Sequence, residues 1–272
     1  MSDEPRAALV PLGSIEPHAL LLQRPAAGQL LYKVMSVENC IRSIEGSYLH
    51  FNRVDSYKDF PTADRHDGEQ LPIDRERNAA ARFVKAPDFT QADQCDLARA
   101  RTYACSFSLE NSDYIWRTYG TGGSKGRVAV VFDFDKLRAT LNRTMEFGAA
   151  ALMYNGIRCR QFLSLNYGLV EYVDWERHRT DISRPIVYAH LKDRTLFGDE
   201  RELRVTLSAI GMGKFVLADL TEIEFPTHLH FSFDFRAACA DGAIQQILYG
   251  PDCDTEFLRA ELRRLGAETR EG

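Results

Sequence analysis

Two glutamates separated by one residue, Glu200 and Glu202, stand in FGDERELRV at the entry to a segment that reads as a strand. Strand side chains alternate between faces, so a strand beginning by Glu200 sets Glu200, Glu202 and Arg204 on one face and Leu203 and Val205 on the other. Beside a cleft, such carboxylates can orient a hydroxyl or stabilise a cationic transition state. The competing reading is an exposed strand edge salt-bridged to Arg201 or Arg204. Earlier in the chain, CSFS places Ser106 and Ser108 on one strand face, where two hydroxyls can anchor a carboxylate or a sugar. Tyr32 and Lys33 fall in the strand LLYKVMS, and a lysine among apolar neighbours must reach solvent or an anion such as phosphate. Tyr119 closes the helix SDYIWRTY beside a glycine run and offers an aromatic body with a polar tip.

The elements that must position these groups can be traced along the chain. Thr102 to Asp135 reads as strand, short helix, glycine-rich turn and strand. The turn, YGTGGSKG, has the glycines and lysine of an anion-binding loop, but it matches neither the P-loop spacing nor a dinucleotide fingerprint, and a strand rather than a helix follows it. It therefore reads chiefly as a tight connection. Ser36 is placed to cap the helix VENCIRSI, and SYLHFNRV is a second strand. Residues 55–74 read as a long polar loop, in which His66 and Asp67 make a weak catalytic or metal pair because adjacent residues do not share a face. RERNAAARFVKA and TQADQCDLARAR have helical composition, the second with Thr90 and Asp93 in a capping-box arrangement. Near the end, Leu258, Leu262 and Leu265 recur at helical spacing and predict a core-facing helix. Residues 1–29 read as an amino-terminal arm and 30–272 as one α+β domain, with a mixed or antiparallel β core and short flanking helices.

Composition bounds the function. The chain has 272 residues, 44% hydrophobic and 27% charged, as expected of a globular protein with a substantial core. A formal net charge of -5 gives no global positive field, which disfavours nucleic acid and anionic membranes as partners. The basic runs RCR (Arg158 to Arg160) and ERHR (Glu176 to Arg179) read as solvated faces. Six cysteines lack any CxxC or Cys/His spacing, so reduced thiols and no metal are expected. No signal peptide or membrane span is evident, which points to the cytoplasm.

The ordered set LLYKVMS, YLHFNRVDSYKDFP, CSFSLEN, WRTYGTGGSKGRVAVVFD, GLVEYV, LKDRTLFGDERELRV and ILYGPDCDTEFLRAEL resembles the bacterial family DUF2971 over about Leu30 to Leu265. Where that family carries an asparagine-aspartate-proline turn, this chain has Tyr57 to Pro61. A more distant similarity is to ADP-ribosyltransferases of the arginine-serine-glutamate type, and it implies that fold. It also implies NAD as substrate, either an unknown macromolecular acceptor or simple glycohydrolysis, and a place among bacterial toxin or defence effectors. On that resemblance Glu202 binds the ribose hydroxyl and stabilises the developing charge, while Glu200 aligns the acceptor. Ser106 or Ser108 supports the site, Lys33 with Tyr32 holds the nucleotide, and Tyr119 stacks on nicotinamide. Lys33 departs from the family's arginine and lacks its planar fork. The alternative is a nucleotide-binding or protein-interaction module without turnover.

Overall fold

Alternating apolar residues build the strands of the computed structural model, which describes residues 14–59, 64–146, 151–161, 163–209 and 213–268. In chain order these are β1 (Ser14–Ile15), β2 (Leu30–Ser36), β3 (Tyr48–Arg53), the hairpin β4 and β5 (Arg82–Phe83, Ala86–Thr90), β6 (Thr102–Ser108), β7 (Arg127–Asp133), β8 (Leu152–Tyr154), β9 (Ile157–Arg158), β10 (Leu163–Leu169), β11 (Glu171–Val173), β12 (Leu191–Asp193), β13 (Glu202–Ala209), β14 (Phe215–Val216), β15 (Glu222–Ile223), β16 (His228–Ser232) and β17 (Ile244–Tyr249). Eleven of them form one sheet in the order β1-β10-β13-β6-β3-β16-β8-β9, and a branch from β6 runs through β2 to β7 and β17. Apart from the parallel contact of β1 with β10, the pairings of this sheet are antiparallel. The architecture is the expected α+β with a mixed, largely antiparallel core. From the segment read as an arm, Ser14 and Ile15 join the sheet, and residues 1–13 lie outside the described residues.

Three of the helices pack apolar stripes into the core that the strands build. Val37–Glu45 buries Val37, Cys40, Ile41 and Ile44, and Ser36 caps it by accepting from Asn39 N at 3.3 Å. Phe134–Glu146 buries Phe134, Leu137, Leu141 and Met145. Thr255–Leu265 buries Leu258, Leu262 and Leu265, as their spacing requires. The capping box at Thr90 also forms, opening the helix Gln91–Arg99. The reading of RERNAAARFVKA as helix needs correction: the helix runs from Pro72 to Ala80, and the following residues turn into the β4–β5 hairpin. Phe83 and Phe89 pack ring against ring across that hairpin, a cross-strand contact a helix would not offer. All six cysteines are free thiols. Among the described residues no helix is long and apolar enough to cross a membrane.

Candidate functional site

The site is built on β6. One edge is paired along its length with β13, which sets Arg204 opposite Ser106 and Glu202 opposite Ser108. The other edge is shared. β3 meets it at one end, Asn52 opposite Ala104, and β2 touches it at the other, Tyr32 opposite Ser108. Between those contacts the sheet splits. The bonds from Leu109 N to the Arg201 carbonyl and from Ala209 N to the Arg101 carbonyl show that odd-numbered residues of β6 turn their main chain toward β13. Ser106 therefore faces the gap. Lys33 reaches into it, donating to the Ser106 carbonyl at 3.0 Å, with its ammonium 5.1 Å from the centre of the Phe107 ring. The split opens into a cleft of 620 Å³, and Tyr32, Lys33, Ser106, Ser108, Tyr119, Glu200 and Glu202 all line it. Residues chosen from separate stretches of sequence are thus brought to one place.

The inner wall is a buried ion network. Lys192 Nζ contacts Glu200 Oε2 and, at 2.8 Å, Glu202 Oε2. Arg204 Nε donates to Glu202 Oε1 at 2.7 Å, and the rest of its guanidinium grips both oxygens of Asp67. Burial opposes ionisation of Glu202, but the charges of Arg204 and Lys192 outweigh it and hold the carboxyl below the ordinary range. Glu200 responds in the opposite sense, since burial raises it against the pull of Lys192. Tyr119 presents its ring outward while its hydroxyl donates to Glu200 Oε1 inside the cleft, where burial and the two glutamates raise its pKa. Ser108 Oγ lies 3.0 Å from the carbonyls of Glu110 and Glu200, so its proton ties β6 to the turn before β13.

Two expectations change in detail. β13 begins at Glu202, and Glu200 belongs to the 3-10 turn Gly198–Glu200. Arg201, at φ 45°, makes the left-handed step between them, so Glu200 reaches the cleft through a turn rather than through the pleat. The glycine-rich loop does bind an anion, and that anion is the chain's own. Glu38 Oε1 accepts from Ser124 N at 2.7 Å, Ser124 Oγ at 2.9 Å and Lys125 N at 3.0 Å, which pins the loop to the first turn of the helix Val37–Glu45.

Sequence reasoning missed Lys192 and Asp64, and considered Asp67 only as the weak partner of His66. Lys192 lacked the signal of Lys33, because it stands in the polar run HLKDR rather than among apolar neighbours. Asp67 pairs with a residue far along the chain, while its neighbour His66 turns outward to Glu69, so the supposed pair is divided. Asp64 lines the cleft with one carboxylate oxygen accepting from His66 N at 2.8 Å, and burial followed by the neighbouring Asp67 raises its pKa. Also missed was a group of rings that line the cleft from β3 and β16. Tyr48 and His230 stack with centroids 3.7 Å apart and planes 7° from parallel, and His50 lies 5.3 Å from His230.

These features define an α+β protein with a ligand-sized cleft opened by a split sheet and backed by buried charge. No family model and no curated protein matches the chain, so the likeness to DUF2971 rests on the ordered motifs. Among solved structures it is similar to "Thermus sp. 2.9 DarT in complex with ADP-ribosylated ssDNA", at 11% identity and a TM-score of 0.32, over 92% of this chain and 95% of that one. A similarity at that level says what the chain resembles, not what it does. The expectation that nucleic acid is disfavoured as a partner is withdrawn: the structure it resembles contains ADP-ribosylated single-stranded DNA, and the ground for that expectation was net charge alone. Net charge sums the whole surface and does not describe the groups around one cleft.

Proposed function

We propose that the cleft binds NAD and cleaves its nicotinamide glycosidic bond, passing ADP-ribose to a macromolecular acceptor or to water. The observation that carries this reading is the convergence of Lys33, Ser106 and Glu202 on one cleft. In the reaction the bond from ribose C1′ to the pyridinium nitrogen breaks, its electron pair stays with the nitrogen, and nicotinamide leaves neutral. The ribose becomes oxocarbenium-like. Glu202 stays ionised at neutral pH, contacts the ribose hydroxyl and opposes the growing positive charge. Lys33 spends one of its donors on the Ser106 carbonyl and keeps others for a phosphate. Tyr119 stacks on nicotinamide, and Glu200 aligns the acceptor. The likeness to DUF2971 and a role as a bacterial toxin or defence effector belong to the same reading.

Incubation of the purified protein with NAD, with and without single-stranded DNA as acceptor, tests it. Wild type is expected to release nicotinamide, and Glu202→Gln to lose on the order of 100-fold in rate. Equal rates, or none from either protein, remove the assignment. One observation favours a second reading, a nucleotide-binding module without turnover: Lys192 and Arg204 already neutralise Glu202. That reading expects thermal stabilisation by NAD with no product.

A further inference from the structure

Three kinds of group follow one another across the sheet at the open edge of β6. On one side Glu202 stands on β13, which pairs with the other edge of β6. Midway, Lys33 stands on the Ser106 carbonyl. On the far side of the opening, His50 and Tyr48 stand on β3, which leaves β6 beyond Asn52, and His230 stands on the next strand, β16. From β13 to β16 by way of β6 and β3 is three strand spacings, about 14 Å. A dinucleotide has the same order: base and ribose, pyrophosphate, then the second riboside.

We infer that Tyr48, His50 and His230 form a stacking subsite for the second nucleobase of the dinucleotide, the adenine remote from the bond that breaks. This deepens the proposed function and rests on it for the ligand's orientation. All three rings line the cleft, and all are half-buried, which leaves surface for a ligand. The register sets His50 directly opposite His230, so both rings stand on one face of the sheet. Tyr48 lies flat on His230, giving a rigid double ring that needs no ordering when a base arrives. Burial first, then the neighbouring histidines, keeps His50 at about 4 and lowers His230, so both are neutral at pH 7 and present a π-face without charge. His50 Nε2 pairs with Asn52 Oδ1 at 2.9 Å, which fixes the ring edge and turns the asparagine amide N–H groups toward other acceptors, such as a base edge. Arg42 and Asn39 line the same cleft.

Calorimetric titration with AMP, NAD and nicotinamide mononucleotide tests the subsite in wild type, His230→Ala and His230→Phe. AMP carries the adenine and the mononucleotide lacks it. Loss of one stacked ring is expected to weaken AMP and NAD roughly tenfold in the alanine variant, with recovery in the phenylalanine variant, which keeps a flat ring. Binding of the mononucleotide should be the same in all three proteins. The phenylalanine variant also controls for folding, because it fills the same space. AMP binding that depends on the ring, in a protein that releases no nicotinamide, sustains the subsite and ends the catalytic reading. Nicotinamide release with an unchanged KM for NAD in His230→Ala sustains catalysis and overturns the subsite. Ring-dependent capture of oligodeoxythymidylate without AMP binding also overturns it, and reassigns the rings to a nucleic-acid strand.

Discussion

Arg204 is 1% exposed and shares its five donors between Glu202, Asp67 and the Ala189 carbonyl. A guanidinium so placed carries two obligations, since its removal leaves Asp67 without this partner and Glu202 with Lys192 alone. Arg204→Met is therefore expected to lose about 3–5 kcal/mol in urea unfolding, the usual consequence of breaking a buried pair from one side. Arg204→Lys keeps the charge but cannot hold both oxygens of Asp67, and should fall between wild type and the methionine variant. An Arg204→Met protein as stable as wild type would show that Asp67 and Glu202 are held by other groups. That Arg204 shares a face with Glu202 could be read from period-2 alternation. Its grip on Asp67 could not, because 137 residues separate the partners and nothing local marks the aspartate.

At the scale of elements, the glycine-rich connection shows how far a local reading reaches. Gly126 sits at φ +80°, and a Cβ there would stand 2.0 Å from the Asp252 carbonyl oxygen. Both conformation and space exclude a side chain, so Gly126→Ala should lower the thermal midpoint by several degrees, on the order of 1–3 kcal/mol for strain of this kind. An unchanged midpoint would mean that the Asp252 turn yields. Glycines, turns, capped helices and most strands were legible in the sequence because each depends on neighbours a few residues away. The place of Glu200 was not, because one left-handed residue at Arg201 interrupts the alternation. Nor was the split in the sheet. Whether β2 or β3 occupies the second edge of β6 depends on how two distant strands divide its length, and no periodicity encodes that division.

For the whole molecule, the charged cleft sets a pH dependence whose sign can be worked out. His50 ordinarily titrates at 6.5 and is held at about 4 in the folded chain by burial first, and by the neighbouring histidines and Lys33. The unfolded chain therefore takes up this proton first, and the His50 contribution to stability, complete above pH 6.5, is lost as pH falls toward 4. Glu202, also lowered, adds a second loss below the ordinary carboxylate value of 4.5, while Glu200, raised, works in the opposite direction. Calorimetry should show a midpoint falling from pH 7 to pH 4, and His50→Phe should flatten the upper part of that fall. A curve as steep in the variant would assign the loss to other groups. One further consequence follows from the shared edge of β6. In an extended strand the N–H and C=O of one residue point the same way, so the Ser106 amide, like its carbonyl, faces the opening between β2 and β3. A main-chain donor placed there is the same for every amino acid except proline. Side-chain scanning at position 106 will register the hydroxyl alone, and whatever discrimination the peptide group confers will stay silent until the amide is replaced by an ester.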